Sequence, residues 1–67
     1  MQIIWNSSPT EVNEGSSVQA VFEQLEGDRV FGMALAVNDE VLPASLWAEK
    51  ILEENDRVLV IRASAGG

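Results

Sequence analysis

One segment of the chain has the periodicity of an amphipathic α-helix. Its apolar residues recur at i, i+3, i+4 and i+7, which places them on one helical face, and the residues between them are polar. The apolar positions are Val18, Val21, Phe22 and Leu25. Ser16 and Gln19 have the spacing of a capping box, which predicts the start of this helix. Gly27-Asp28 predicts its end.

The other apolar segments are short and rich in β-branched residues, which is typical of strands. They span residues 2–6, 10–12, 34–37, 40–42 and 57–62. Asn38-Asp39 suits a tight hairpin, and Asn55 suits a left-handed backbone position. Ser7-Ser8-Pro9 is expected to separate the first two strands. A short helical stretch is expected within residues 44–52, after Pro43 has ended the fourth strand.

The order of these elements is β-β-α-β-β-short helix-β. One apolar helical face opposite one mixed sheet predicts a two-layer α+β domain, and the helix suits a right-handed crossover between strands. A chain of 67 residues is long enough for one domain with a modest core. We therefore expect a single domain over residues 1–63 and a flexible tail at residues 64–67.

The last strand is apolar on both of its faces, although one helix covers only one face of a sheet. The first strand shows the same pattern. The residues that we assign to the helix side are Ile3, Trp5, Val58 and Val60, and those assigned to the opposite face are Ile4, Leu59 and Ile61. Two interpretations follow: this second set is an exposed docking face for a partner, or the short helix and the loops cover it.

Composition excludes several kinds of chemistry. The sequence contains no cysteine and no histidine, so it lacks disulfides, thiolate metal ligands and the usual general base. Eleven acidic residues against four basic ones give a net charge of −7, which disfavours binding to nucleic acid. The carboxylates lack the spacing of a calcium-binding loop. We expect neither a metal site nor a catalytic residue.

Two further absences bear on location. No apolar run approaches the length of a membrane span, and the N-terminal residues lack the basic region of a signal peptide. We expect no membrane association and, by default, a cytoplasmic location.

The last residues carry almost no side-chain bulk. They are Ser64, Ala65, Gly66 and Gly67. Two glycines remove Cβ and widen the choice of backbone angles, so this tail could thread a narrow channel in a partner's active site. It would bring the α-carboxylate of Gly67 to a reactive phosphate there. The alternative is an ordinary frayed terminus.

The whole chain resembles the ubiquitin-like sulfur carriers, and among them those of thiamine biosynthesis. The matching residues are Met1-Gln2-Ile3, Ala34-Leu35-Ala36-Val37-Asn38, Val41-Leu42-Pro43, Trp47, Asp56 and Ala65-Gly66-Gly67. The resemblance implies a β-grasp fold, in which a mixed sheet packs on one main helix. It also implies that the chain is a protein co-substrate and not an enzyme.

The resemblance further implies the chemistry of the tail. A ubiquitin-activating-type adenylyltransferase uses ATP and magnesium to join AMP to the Gly67 carboxylate. Sulfur supplied by a cysteine desulfurase then displaces AMP and leaves a thiocarboxylate, which thiazole synthase consumes. The carrier itself binds no cofactor.

Two other functions remain open from the sequence. One is a sulfur carrier for molybdopterin or another product. The other is a ubiquitin-like protein modifier or interaction module, whose tail is conjugated to lysine or is incidental.

Overall fold

The computed structural model describes residues 1–27 and 33–62. Five strands and one α-helix lie within these ranges. They are β1 (Gln2–Trp5), β2 (Ser8–Glu11), α1 (Val18–Glu26), β3 (Met33–Val37), β4 (Glu40–Val41) and β5 (Arg57–Arg62), with a 3-10 helix at Ala44–Leu46 before β5. The predicted element order is confirmed, and the bounds of β5 are those expected from its apolar run.

The strands form one mixed sheet in the order β2-β1-β5-β3-β4. β1 and β5 are parallel, and the other neighbouring pairs are antiparallel. A parallel pair requires a crossover connection, and here the chain between β1 and β5 includes α1, which covers one face of the sheet. The central strand of the sheet is β5, and β1 and β3 lie on either side of it.

Helix α1 begins one residue later than the capping-box spacing predicted. Its N-cap is Ser17, whose Oγ accepts a hydrogen bond of 3.1 Å from the backbone N–H of Ala20. The hydroxyl of Ser16 instead donates to the carbonyl oxygen of Asn13 at 2.6 Å. The predicted cap at Ser16 is wrong because this hydroxyl already closes the preceding turn. Gly27 ends the helix at φ 79°, as expected.

The first hairpin is tighter than the sequence suggested. Trp5 pairs with Ser8, so only Asn6 and Ser7 form the turn, both with positive φ (50° and 70°). Strand β2 therefore begins at Ser8 and includes Pro9, so the predicted break at Ser7-Ser8-Pro9 is wrong for its last two residues. Proline is tolerated here because β2 is an edge strand of the sheet.

Two other turns occur where they were predicted. Asn38 and Asp39 form the β3–β4 turn with φ of 50° and 72°, and Asn55 has φ 69°. Strand β4 ends at Val41, one residue earlier than expected. The short helical stretch predicted within residues 44–52 is a 3-10 helix of three residues.

The core lies between α1 and the sheet. Phe22 is fully buried between two indoles, with its ring centroid 6.4 Å from that of Trp5 and 4.9 Å from that of Trp47. Val18 and Val21 are also buried, whereas Leu25, the last position of the predicted stripe, is 40% exposed. Three of the four residues in the predicted apolar stripe therefore belong to the core.

Candidate functional site

Strand β5 leads directly towards the predicted tail. It lies in the middle of the sheet between β1 and β3, and its last residue, Arg62, is registered with Met33 of β3. The predicted tail residues Ser64, Ala65, Gly66 and Gly67, like residue 63, lie outside the described residues. The structure consequently describes the base from which the tail starts.

The face of the sheet opposite α1 carries the apolar set predicted for docking. Leu59 is 52% exposed and Ile61 is 43% exposed, while Ile4 is half-buried beside them. Ile3, Trp5 and Val58 are buried on the helix side, and Val60 is half-buried and packs against the core. The assignment of the two faces is confirmed. The 3-10 helix and the loops of the described chain therefore leave this face exposed, against the second interpretation.

These exposed residues line a shallow groove. Ala36 is registered with Leu59 on one side and with Val41 on the other, so its small side chain lies between two larger ones. The groove is bounded by these side chains together with Ile4 and Ile61. Its lining is mostly apolar, which is the surface that a protein partner could cover.

Val41 also lines this groove, although it is not among the residues predicted for this face. It is 69% exposed. The signal was available: the predicted Asn38-Asp39 hairpin, with two turn residues, places Val41 opposite Ala36, and alternation along β3 and β5 then places Val41 on the same face as Leu59.

An ion pair lies at one end of the groove. The Arg57 guanidinium contacts the Asp39 carboxylate at 3.0 Å, and both side chains are well exposed. The backbone N–H of Arg57 donates to the side-chain carbonyl of Asn38 at 2.9 Å, and the Asn38 amide donates to Asp56 at 3.0 Å. These contacts hold the β3–β4 turn against the start of β5, whereas the exposed ion pair itself contributes little stability.

Two kinds of feature are absent from the described residues. No group of three acidic side chains within residues 1–27 and 33–62 is arranged to hold a metal ion. In the same part of the chain, no helix is long and apolar enough to cross a membrane. The main surface feature is the apolar groove on the central strand β5, the strand that precedes the predicted tail in the sequence.

Comparison with known proteins identifies the class to which this fold belongs. The structure superposes on the crystal structure of the thiamine biosynthesis protein ThiS from Geobacter metallireducens with a TM-score of 0.86, at 22% identity over the whole of both chains. The predicted ubiquitin-like β-grasp fold is confirmed. At this identity the likeness establishes the fold alone.

Sequence comparison gives the family. The profile of the ThiS family matches residues 3–67. The chain is 36% identical to the sulfur carrier protein ThiS of Escherichia coli (strain K12) over 67 residues, which is the full length of both. The chain belongs to the ThiS family, and the resemblance found in the sequence is thereby confirmed.

Proposed function

We propose that this chain is a sulfur carrier for thiamine biosynthesis and that Gly67 is the residue that carries the sulfur. The observation that carries the proposal is the family match, which extends through Gly66 and Gly67, together with the full-length similarity to a protein named as a sulfur carrier. In this role the chain is a co-substrate of other enzymes and catalyses no step itself.

The chemistry takes place on the α-carboxylate of Gly67. A carboxylate oxygen attacks the α-phosphorus of ATP and pyrophosphate leaves, which gives an acyl-adenylate. Magnesium on the partner enzyme neutralises the phosphate charge. The outer sulfur of a persulfide carried by the cysteine desulfurase then attacks the acyl carbon, and the carbon–oxygen bond to AMP breaks, which gives an acyl disulfide. A thiol reduces the sulfur–sulfur bond, which leaves a thiocarboxylate on Gly67 and a mixed disulfide on the thiol side. The sulfur of this thiocarboxylate passes to thiazole synthase.

The sequence and the fold support separate roles for the tail, which reacts, and for the folded domain, which binds the partner. Ser64, Ala65 and Gly66 present little bulk, so they suit a narrow channel leading to a partner's nucleotide. Ile4, Leu59 and Ile61 form the docking face for the adenylyltransferase, and Val41 extends it. Leu59 and Ile61 lie on β5, the strand that precedes the tail. A partner that covers this face therefore also holds the start of the tail.

Intact mass spectrometry tests the carrier role. The chain is incubated with an adenylyltransferase of this type, ATP, magnesium, a cysteine desulfurase and cysteine. We expect a mass increase equal to the exchange of one oxygen for sulfur, localised to Gly67 by fragmentation. The control is a variant that lacks Gly67, which should fold but accept no AMP.

Three outcomes would contradict the proposal. An unchanged mass with a demonstrably active enzyme mixture would exclude the carrier role. Adenylation of the shortened variant would place the reactive carboxylate elsewhere. Attachment of Gly67 to lysine side chains would indicate a protein modifier. Transfer of sulfur from the thiocarboxylate to thiazole synthase, and not to a molybdopterin-forming enzyme, tests the product.

A further inference from the structure

The side chain of Glu26 connects three elements of the fold. One carboxylate oxygen, Oε1, accepts a hydrogen bond of 2.8 Å from the guanidinium of Arg62, at the end of β5. The other, Oε2, accepts from the indole Nε1 of Trp5 at 3.0 Å. Glu26 is the last residue of α1, and its side chain is only 12% exposed. Such a carboxylate is better fixed than one in a fully solvated pair.

The end of β5 extends beyond its neighbour β1. The parallel pairing with β1 stops at Trp5 and Val58. Past that point the side-chain oxygen of Asn6 accepts from the backbone N–H of Val60 at 2.8 Å. Within residues 1–27 and 33–62, Ile61 and Arg62 pair with one strand, β3. Arg62, the last residue of β5, is therefore held by its pairing with Met33 on one side and by the side-chain contact with Glu26.

We propose that Glu26 and Arg62 are positioning residues, whose ion pair fixes the point from which the tail leaves the domain. This inference rests on the proposed function. Arg62 follows the alternation of β5 and lies on the helix side, opposite Leu59 and Ile61. The pair can therefore hold the strand end while the docking face is covered by a partner.

Geometry gives the reason that the starting point matters. Five residues follow Arg62, and an extended segment of that length spans at most roughly 17 Å. Release of Ile61 and Arg62 from the domain would shift the starting point by about 7 Å, a large part of that reach. Ordering these residues again costs conformational entropy when the carrier binds.

The kinetic consequence is specific. If only a fraction of the carrier has its strand end in place, the apparent affinity for the partner falls by that fraction, and the bound complex is unchanged. Loss of the pair should therefore raise the KM for the carrier and leave kcat unchanged. Because one partner of the ion pair is exposed, we expect its loss to increase the KM by roughly two- to fivefold.

A double-mutant cycle tests the pair. Glu26→Gln keeps an acceptor for Trp5 and removes the charge, and Arg62→Gln removes the other charge. If the residues act as a pair, each single variant raises KM and the double variant is no worse than either one. Arg62→Lys should restore part of the loss. Glu23→Gln is the matched control, because it removes the same charge from the same helix, where the Glu23 carboxylate accepts a hydrogen bond from Gln19.

Three kinetic outcomes overturn the inference. If Arg62→Gln raises KM while Glu26→Gln does not, Arg62 contacts the partner directly. If neither changes KM, the pair has no part in positioning. Additive effects in the double variant also exclude a shared role.

Hydrogen exchange separates this inference from the proposed function. The amide of Val60 is directed to the β1 side, so that of Ile61 faces β3, where Ile61 is registered with Ala34. In Glu26→Gln the Ile61 amide should exchange roughly two- to fivefold faster, with Val58 unchanged. An unchanged Ile61 amide overturns the inference even if no partner accepts the carrier. Failure of the wild-type chain to gain sulfur counts against the proposed function alone.

Discussion

The indole Nε1 of Trp47 donates a hydrogen bond of 2.8 Å to the carbonyl oxygen of Leu42. Leu42 in turn donates its backbone N–H to the carbonyl oxygen of Leu35 in β3, at 2.7 Å. The segment after β4 is thereby tied both to the sheet and to a core aromatic. Because Val41 precedes this segment, the same contacts support one side of the groove.

Replacing Trp47 with phenylalanine should destabilise the fold. Trp47 is 1% exposed, so Trp47→Phe leaves a small cavity and deprives the Leu42 carbonyl of its donor. We expect a loss of about 2 kcal/mol in the free energy of unfolding, measured by urea denaturation. Leu46→Ala, at a neighbouring exposed position, should change the free energy of unfolding by less than about 1 kcal/mol. Equal losses in both variants would contradict the role assigned to the hydrogen bond.

Local patterns predicted the elements whose geometry depends on nearby residues. The apolar run within residues 57–62 predicted β5, and the tolerance of asparagine for positive φ predicted the left-handed positions at Asn38 and Asn55. Pro9 was misinterpreted because a proline is compatible with a strand only at an edge. Which strand lies at an edge is decided by the topology, not by the local sequence.

The contacts of Glu26 could not be predicted from the sequence, because they too depend on the topology and not on neighbouring residues. Glu26 contacts Trp5 and Arg62, which are 21 and 36 residues away in the chain. On a helical wheel it is one of several polar positions, and nothing in its immediate neighbours distinguishes it. Ile4, Leu59 and Ile61 could be found because two apolar faces on one strand are visible in the sequence itself.

The position of the helix cap can be checked with two serines that are adjacent in sequence. Ser17→Ala removes the acceptor for the Ala20 N–H and should cost about 1 kcal/mol of stability. Ser16→Ala removes only the exposed contact with Asn13 and should cost clearly less. Thermal and urea unfolding of both variants measures the difference. A larger loss at Ser16 would restore the capping box that the sequence suggested.

The N-terminal ammonium group predicts a pH dependence of stability. The Met1 nitrogen contacts the Glu11 carboxylate at 2.9 Å and donates to the carbonyl oxygen of Val12 at 2.8 Å. The hydrogen bond with Glu11 raises the pKa of this amino group above its ordinary value of 8.0. A raised pKa means that the stabilisation is fully present below the unfolded value and is lost as pH rises through the folded value.

Unfolding of the wild-type chain and of Glu11→Gln should therefore be compared from pH 7 upwards, the range that begins just below the ordinary pKa of 8.0. The wild-type chain should lose stability as the pH rises from 8.0 through the higher pKa of the folded state. Glu11→Gln should lose less stability over the same range. Glu49→Gln, which makes the same change of charge elsewhere, should retain the wild-type profile. Parallel profiles for all three proteins would show that the Met1 contact does not contribute.

The proposed docking face predicts that the stability of the carrier and its activation can be separated. Ile61 is 43% exposed on an apolar face that α1 leaves uncovered. A charge placed there meets solvent in the free carrier, whereas it must be desolvated when a partner covers the face. The cost should consequently be paid on binding.

Ile61→Asp should raise the KM for adenylation by at least about tenfold, with a change in unfolding free energy below about 1 kcal/mol. The measurement is carrier-dependent pyrophosphate release, paired with urea unfolding. Leu46→Asp is the matched control, because Leu46 is equally 43% exposed but does not line the groove, so its KM should stay near wild type. Unfolding of Ile61→Asp would make this position part of the core, and equal losses in both variants would remove the groove as the docking surface.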